Sequence, residues 1–464
     1  MQLWQLNPQA RLRRTLNGGA ALLPETAATV ELDAEAFTAV SLLITPQTAR
    51  QLRRQLIAQF KRNFTLAETD ILLRELAAQG FLSESRAEQT DPLPESARLP
   101  DWRDLSSAAL SQSQRQAGGL ADIVRHNADR LTASVPVPES VHLQLNIVCN
   151  LRCPSCYVGL HEADRDLLPL ERLCALIDEC AEMGVFQLAL GGGEALMSPK
   201  LAPVARYARQ RGLIPNVTTN GWLITDKLLD EVQGSLGELR LSLNDAVTVN
   251  TALLAEKAAL MRARLMRFGF NLIVTQRNLN RLSELLEWAC AQGAATINLI
   301  RPKPAPGNDR WYADNALTRA DAARLLTILK DVEPLFTQTA LTVDCAFSFL
   351  FHGWSARQLQ SRGVAGCAMG ERFATIKWNG DVYPCSHLHG AEFRAGNVLA
   401  ESFRDIWERS QVFTNLRREL PQVNGHCGGC AHNAFCKGCR AVMQQQTGDW
   451  LAADTDCPVP VVRV

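Results

Sequence analysis

Between Val141 and about Arg301 the sequence alternates six times between an apolar, strand-like run and a helix-like period, and nothing else in it restricts the fold as strongly. The runs are 141–148, 186–190, 213–218, 238–243, 269–275 and 295–301. The stretch 169–183 shows what fills a gap: Leu173, Leu176, Ile177, Cys180 and Met183 share one helical face, and Gly184 closes it. Strand then helix, repeated, means a parallel α/β sheet. Six such units can close into a partial (β/α)6 barrel, with the site at the carboxyl ends of its strands.

The rest of the chain brackets this α/β core. At 464 residues it is about three ordinary domains long. Apolar residues at 47% and charged residues at 21% supply large cores and exclude wholesale disorder. Lys plus Arg equal Asp plus Glu at 48 each, so no broad attraction to nucleic acid or an anionic membrane is expected. No apolar run approaches the roughly 18 residues that span a bilayer. The opening MQLWQLNPQARLRR lacks the pattern of an export signal, and a cytoplasmic location is expected.

Residues 1–85 read as a small strand-rich unit followed by helices. Ala20–Leu23 and Thr29–Leu32 are strand candidates, and helices run from Pro46 to about Phe60 and from a Thr65/Glu68 capping box to Gly80. Residues 86–140 form a linker with one helix, Ser107 to about Leu131; 302–344 bridge the core to a cysteine-dense, turn-rich block, 345–464. Within that block Asn379-Gly380, flanked by Ile376, Trp378, Val382 and Tyr383, predicts a hairpin with a type I′ turn.

Fourteen cysteines in a reducing compartment are expected to ligate metal or do chemistry rather than form disulfides. Cys149, Cys153 and Cys156 follow the first core strand directly. Three thiolates at this spacing would leave one iron of a four-iron cubane open to an exogenous ligand. Zinc in the same place would need a fourth donor such as His161.

This C-x3-C-x2-C loop, with Tyr157 behind its last cysteine, resembles that of the radical S-adenosylmethionine (radical SAM) enzymes. The resemblance implies a 4Fe-4S cluster whose open iron binds the amino and carboxyl groups of S-adenosyl-L-methionine. Reduction then releases a 5′-deoxyadenosyl radical that abstracts hydrogen from a substrate. Gly191, Gly192, Gly193 and Glu194 end the second strand where the family has its Gly-Gly-Glu segment, with Ala195 in place of the usual proline. Thr219 and Asn220, in Thr-Thr-Asn-Gly, end the third strand and Ser242 the fourth. There relatives read Ser-Leu-Asp, and here Asn244 precedes Asp245. On the resemblance, these residues and Tyr157 bind the cofactor.

The carboxyl-terminal cysteines resemble the SPASM extension of peptide-modifying radical enzymes. Cys367, Gly380 and Cys385 match its opening, and Cys427, Cys430, Cys436, Cys439 and Cys457 its second half, with two residues rather than three between Cys436 and Cys439. Cys345 is the candidate eighth ligand. The resemblance implies two auxiliary 4Fe-4S clusters, one on Cys345, Cys367, Cys385 and Cys439 and one on Cys427, Cys430, Cys436 and Cys457. C-x2-C pairs also suit zinc. Cys174, Cys180 and Cys290 fall in helix patterns and are expected in the core, and His387, His389, His426 and His432 lie near the cluster cysteines without ligating.

The first block resembles the winged-helix leader-recognition element of ribosomal-peptide maturation, similar to the peptide chaperone of pyrroloquinoline quinone biosynthesis. Such an element holds a leader peptide as an added strand, here beside Thr29–Leu32 and the helix Thr65–Ala78. Glu68, Asp70 and Glu75 on that helix argue against DNA. The expected activity is therefore that of a peptide-modifying oxidoreductase. It would bind a precursor peptide through its leader, take electrons from a flavodoxin or ferredoxin, and install a carbon–carbon or thioether cross-link. Alternatives are a maturase forming thioethers in a protein subunit, a dehydrogenase of small-molecule or sulfatase type, and a zinc-stabilised binding scaffold. Ser386 after Cys385, where the sulfatase type carries aspartate, disfavours that type. No catalytic acid or base is legible; Asp245, Asp381, His387 and Tyr383 are polar candidates only.

Overall fold

The structure is a computed structural model that describes residues 2–7, 10–15, 18–23, 28–43, 46–60, 64–86, 137–158, 168–244, 250–352, 366–388, 390–433 and 436–459. The expected linker helix at 107–131, His161, Asp245 and His389 lie outside the described residues. The chain divides into two compact units, essentially residues 1–137 and 138–464.

In the first unit, β1 (Gln2–Leu6) pairs antiparallel with β5 (Leu82–Arg86), and β2 (Arg11–Thr15), β3 (Gly18–Leu23) and β4 (Ala28–Asp33) form a second antiparallel sheet. Three helices lie between, α1 (Ala34–Leu42), α2 (Ala49–Phe60) and α3 (Leu66–Ala78). The predicted capping box holds: the Thr65 side chain accepts from Glu68 N–H, the Glu68 carboxylate accepts from Thr65 N–H, and Gly80 with φ +82° ends the turn. Helix α2 starts at Ala49 rather than Pro46, because the Gln47 backbone is spent on two hydrogen bonds with Trp4 and the Thr48 side chain pairs with Gln51. The core of this unit gathers Trp4, Leu23, Phe37, Leu43, Leu52, Leu56, Leu73 and Phe81, all buried. Among the described residues β4 pairs only with β3, and no strand pairs with its outer edge.

The second unit is built on one ten-stranded sheet. The six predicted strands appear as β6 (Ser140–Gln144), β7 (Gln187–Gly191), β8 (Ile214–Thr219), β9 (Glu238–Asn244), β10 (Phe268–Ile273) and β11 (Thr296–Ile300), neighbours in chain order and all parallel. Helices α4 (Leu170–Met183), α5 (Leu201–Gln210), α6 (Asp226–Val232), α7 (Thr251–Ala263) and α8 (Leu282–Ala291) fill the gaps, and α9 (Asp309–Asn315) and α10 (Arg319–Val332) follow. This is the partial-barrel plan.

The sheet does not stop at six strands. Beyond β11 it gains β12 (Ala340–Val343), and on the other side of β6 it gains β13 (Phe373–Ile376), each in parallel pairing. Strands β14 (Asp381–Tyr383) and β15 (Gly396–Asn397) then add antiparallel. The hairpin at Asn379-Gly380 forms, with a different turn. Only Gly380 is left-handed (φ +86°); Gly380 N–H bonds Lys377 O and Lys377 N–H bonds Asp381 O, which makes a three-residue loop closed by a glycine bulge rather than type I′. The remaining helices are α11 (Phe403–Arg409), α12 (Gln411–Glu419), the short α13 (Gly425–Gly428) and α14 (Arg440–Thr447).

Strand alternation gives the sheet two unlike faces. Leu239, Leu241, Leu243, Phe268, Phe270, Leu272, Ile297 and Leu299 are buried against α7, α8 and α10. Truncating any one of these leucines to alanine would cost about 2–5 kcal/mol. The alternate residues are polar and cross-linked: Thr342 Oγ1 bonds Asn298 (3.1 Å), Asn298 Nδ2 bonds Asn271 (3.4 Å) and Asn271 Nδ2 bonds Thr218 (3.4 Å). That neutral row of amides and hydroxyls lines the inner side of the sheet.

Candidate functional site

The motif residues gather at the carboxyl ends of β6 to β9. After Gln144 the chain leaves the sheet, and it is held by main-chain bonds: Leu145 N–H to Gly191 O (2.9 Å) and Glu194 N–H to Val148 O (2.8 Å). Asn146 adds side-chain bonds to Gly193 N–H (3.2 Å) and Glu194 O (2.9 Å). The glycines make this approach feasible. A Cβ on Gly192, whose φ is +137°, would lie 2.4 Å from Asn146 O, and one on Gly193 only 2.2 Å from Val148 O. What the glycine run approaches closely is the segment that leads into Cys149.

Glu194 is 2% exposed and joins two strand ends. Its carboxylate accepts from Leu196 N–H (3.0 Å) and Asn220 N–H (2.9 Å). Burial raises its pKa above the ordinary carboxylate value, and those two N–H groups and the Thr219 hydroxyl partly oppose the rise. Asn220 Nδ2 in turn donates to Asn150 Oδ1 (2.8 Å), beside Cys149. The Cys149 thiol is pushed up by burial, with Glu194 and Cys156 adding, and its sulfur accepts from Leu151 N–H (3.4 Å). Ser242 stands opposite Asn271, where the β9–β10 register slips and Asn244 turns left-handed (φ +42°). Tyr157 stacks on His387, with ring centroids 4.5 Å apart. Burial raises its phenol, and the Cys156 and Cys385 thiols raise it further.

All fourteen cysteines are free of disulfides. Those of the last block sort by mutual influence into two groups. Cys345 is raised well above the usual thiol range by burial, then by Asp344, Cys367 and Cys439, while Lys303 opposes. Cys385 is pushed up to about 12 by burial, with Cys367 and Cys439 adding. In the second group burial and then Cys457, Asp454 and Cys427 push Cys436 up to about 12, and burial, Asp454, Cys427 and Cys430 push Cys457 up to about 11. A cavity of about 210 Å³ opens against Cys427, Cys430, Cys436 and Cys457, lined also by His426 and Asp454. Among the described residues no three Cys, His, Asp or Glu side chains converge on one ion-sized point. A cubane asks for a different arrangement, one thiolate for each of four irons.

Charged residues absent from the sequence reading tie the groups together. Arg301, just past β11, holds Asp454 with two bonds (2.7 and 2.9 Å) and Asp456 with one (2.8 Å), almost fully buried. Asp454 also accepts from Cys439 N–H (2.9 Å), and its own N–H donates to Cys427 Sγ (3.3 Å). Lys303 pairs with Asp344, beside Cys345. His387 and His432 donate main-chain N–H to Cys385 and Cys430 (both 3.5 Å). Of the remaining thiols, Cys180 is in the core, and Cys174 and Cys290 are half-buried.

Two domain families match this chain: the Radical SAM superfamily over residues 144–247 and SPASM, an iron-sulfur cluster-binding domain, over 367–439. The AdoMet-dependent heme synthase of Methanosarcina barkeri is 28% identical over 357 residues, covering 70% of this chain and 98% of that one. The mycofactocin maturase of Mycobacterium tuberculosis is 29% identical over 326 residues, covering 67% of this chain and 80% of that one. Among solved structures, Streptococcus suis SuiB bound to its precursor peptide SuiA superposes with a TM-score of 0.65 at 17% identity, covering 98% of this chain and all of that one. No helix among the described residues is long and apolar enough to cross a membrane.

Proposed function

We propose that this chain, which carries a radical SAM domain followed by a SPASM domain, is a peptide maturase that installs an oxidative cross-link in a ribosomally made precursor. The observation that carries the reading is the three-cysteine loop at the end of β6, braced by Asn146, Glu194 and Asn220 to the ends of β7 and β8. Cys149, Cys153 and Cys156 would hold a 4Fe-4S cluster. Gly191, Gly192, Gly193, Thr219 and Ser242 border the space where S-adenosylmethionine would lie. Free thiols, strand-end N–H groups and glycine backbone fit that pair of groups. When bound, they supply reductive cleavage of the sulfonium and a 5′-deoxyadenosyl radical that takes hydrogen from the substrate.

The chain's own residues fix the loop, present a neutral polar wall (Thr342, Asn298, Asn271, Thr218) suited to peptide groups, and would hold the two auxiliary clusters on two cysteine quartets, in which Cys427 and Cys439 are buried. Buried N–H donors and cations around those quartets compensate the charge of bound thiolates. Formation of the cross-link removes two hydrogens from the peptide, one as the atom taken by the 5′-deoxyadenosyl radical and one as a proton released together with an electron that an auxiliary cluster would accept. The first unit would hold the leader as a fourth strand on the outer edge of β4, with main-chain bonds giving affinity. A small electron-transfer protein such as a flavodoxin or ferredoxin would supply the reducing electron. The cluster reading takes precedence over a zinc scaffold because the SPASM cysteines occur with the radical SAM loop in one chain.

The relation to a heme synthase keeps a small-molecule substrate as the second reading. The test is to offer the reconstituted enzyme synthetic candidate precursors, short peptides drawn from open reading frames neighbouring its gene, with and without their leader part. A leader-dependent mass loss of two hydrogens, with 5′-deoxyadenosine formed in step, is expected. Turnover of a porphyrin precursor with no change in any peptide would overturn the proposal.

A further inference from the structure

Four cations lie buried among the auxiliary cysteines, and three of them face carboxylates. Arg301 holds Asp454 and Asp456, Lys437 lies 2.9 Å from Glu371, and Lys303 pairs with Asp344. The fourth, Arg440, has no carboxylate partner among the described residues. It is 0% exposed, follows Cys439 and opens α14. Its Nη1 donates to Trp450 O (2.9 Å) and Ala452 O (2.7 Å), while Nε and Nη2 are buried with no hydrogen-bond partner among the described residues. Leaving a guanidinium uncompensated inside a protein is costly, and leaving two of its N–H groups unbonded adds to the cost.

Its surroundings say what is missing. The backbone N–H and the charge of Arg440 both draw the Cys367 thiol of one quartet down against its burial, and the charge does the same to Cys427 of the other. Gly438 clears the space, since a Cβ there would stand 2.6 Å from Nη2. The nearby carboxylate of Asp454 is already taken by Arg301 and the Cys439 N–H. A four-iron cluster on four thiolates carries net negative charge and presents sulfide acceptors, and hydrogen bonds to its sulfurs and nearby charge set its potential.

Resting on the cluster reading above, we propose that Arg440 is the shared counter-ion of the two auxiliary clusters, its free Nε and Nη2 donating to cluster sulfur and holding their reduction potentials up. It is a positioning and tuning residue that acts through the clusters.

The test uses the full-length chain with Cys149→Ala/Cys153→Ala/Cys156→Ala, so that only auxiliary clusters remain, reconstituted and titrated with dithionite under EPR. Arg440→Gln is expected to keep about eight iron and to lower the midpoint by at least a tenfold change in the reduction equilibrium, 59 mV for one electron. Arg440→Lys, which keeps the charge, should recover part of that shift. Loss of iron in Arg440→Gln with retention in Arg440→Lys would equally support a counter-ion. Full iron with both midpoints unchanged would overturn the proposal, as would equal loss of iron in both variants, which marks a packing role. If the parent itself binds no iron, the cluster reading fails instead.

Discussion

Replacing Gly193 with alanine tests whether the glycine run positions the Cys149 loop. The new Cβ would stand 2.2 Å from Val148 O, 2.5 Å from Val148 C and 2.6 Å from Ile147 O. An ordinary carbon–oxygen contact is about 3.3 Å, so the two segments must separate by about 1 Å. All three atoms are backbone, so no side-chain rotation relieves the clash. The part displaced is the one or two residues before Cys149, where a shift of about 1 Å can cost about 100-fold in rate. The assay is 5′-deoxyadenosine release from S-adenosylmethionine under reduction, with circular dichroism to confirm the fold. Gly234→Ala is the control: unlike Gly193 it is left-handed, at φ +76°, but its Cβ would meet nothing within 4 Å. It should cost about 1–2 kcal/mol of stability and leave turnover unchanged. Wild-type release from Gly193→Ala would refute the positioning argument.

Asp454→Asn removes the two-bonded partner of buried Arg301, leaving Asp456 to hold one arm. A loss of about 3 kcal/mol, the low end for breaking a buried pair, is expected in urea denaturation, and an unchanged midpoint would count against it. Burial lowers His142 from its ordinary 6.5 to about 4, so it is neutral in the fold while the unfolded chain takes up a proton below 6.5. Stability should therefore fall by about 1.4 kcal/mol between pH 7.5 and 5.5, and His142→Gln should remove that slope; an identical slope would exclude His142 as its source. Cys345→Ser should disturb one auxiliary cluster by iron content and EPR, whereas Cys290→Ser should not; equal effects would remove Cys345 from the quartet. On the outer edge of β4, Val30→Pro and Glu31→Pro differ in which N–H they delete. The one that removes the outward-facing N–H should keep the fold and lose leader binding by calorimetry, and full binding by both would exclude strand addition there.

The six core strands were legible because each carries apolar residues on alternate positions between helix-length gaps, and the structure finds them within a few residues. The α3 capping box was legible because its two bonds are local. What failed was non-local or competing. β12 and β13 join the sheet by pairing with strands far away in sequence, Leu299 with Val343 and Thr375 with His142. Helix α1 hides in the run Ala34–Leu42, where apolar residues crowd too closely to show a period, although Asp33 caps it through Ala36 N–H (2.8 Å). The Asn-Gly pair signalled a turn correctly, but a third loop residue, Trp378, changed its type.

At the site, the cysteine candidates were legible from their spacing, since thiols are rare and their order is readable. The charges around them were not. Asp454 lies three residues before Cys457 and Arg440 directly after Cys439, but only the fold reveals that both are buried and that Arg301, more than a hundred residues earlier, reaches Asp454. Asn146 and Asn150 were overlooked for the same reason, because their work is to accept and donate across strand ends that sequence does not align.

The central claim is tested most directly by iron and sulfide content after anaerobic reconstitution, measured together with 5′-deoxyadenosine release for the wild type and for Cys149→Ala/Cys153→Ala/Cys156→Ala. One catalytic and two auxiliary clusters predict about twelve iron per chain, falling to about eight in the variant, with release abolished. Zinc in place of iron, or release that survives the triple substitution, would contradict the account.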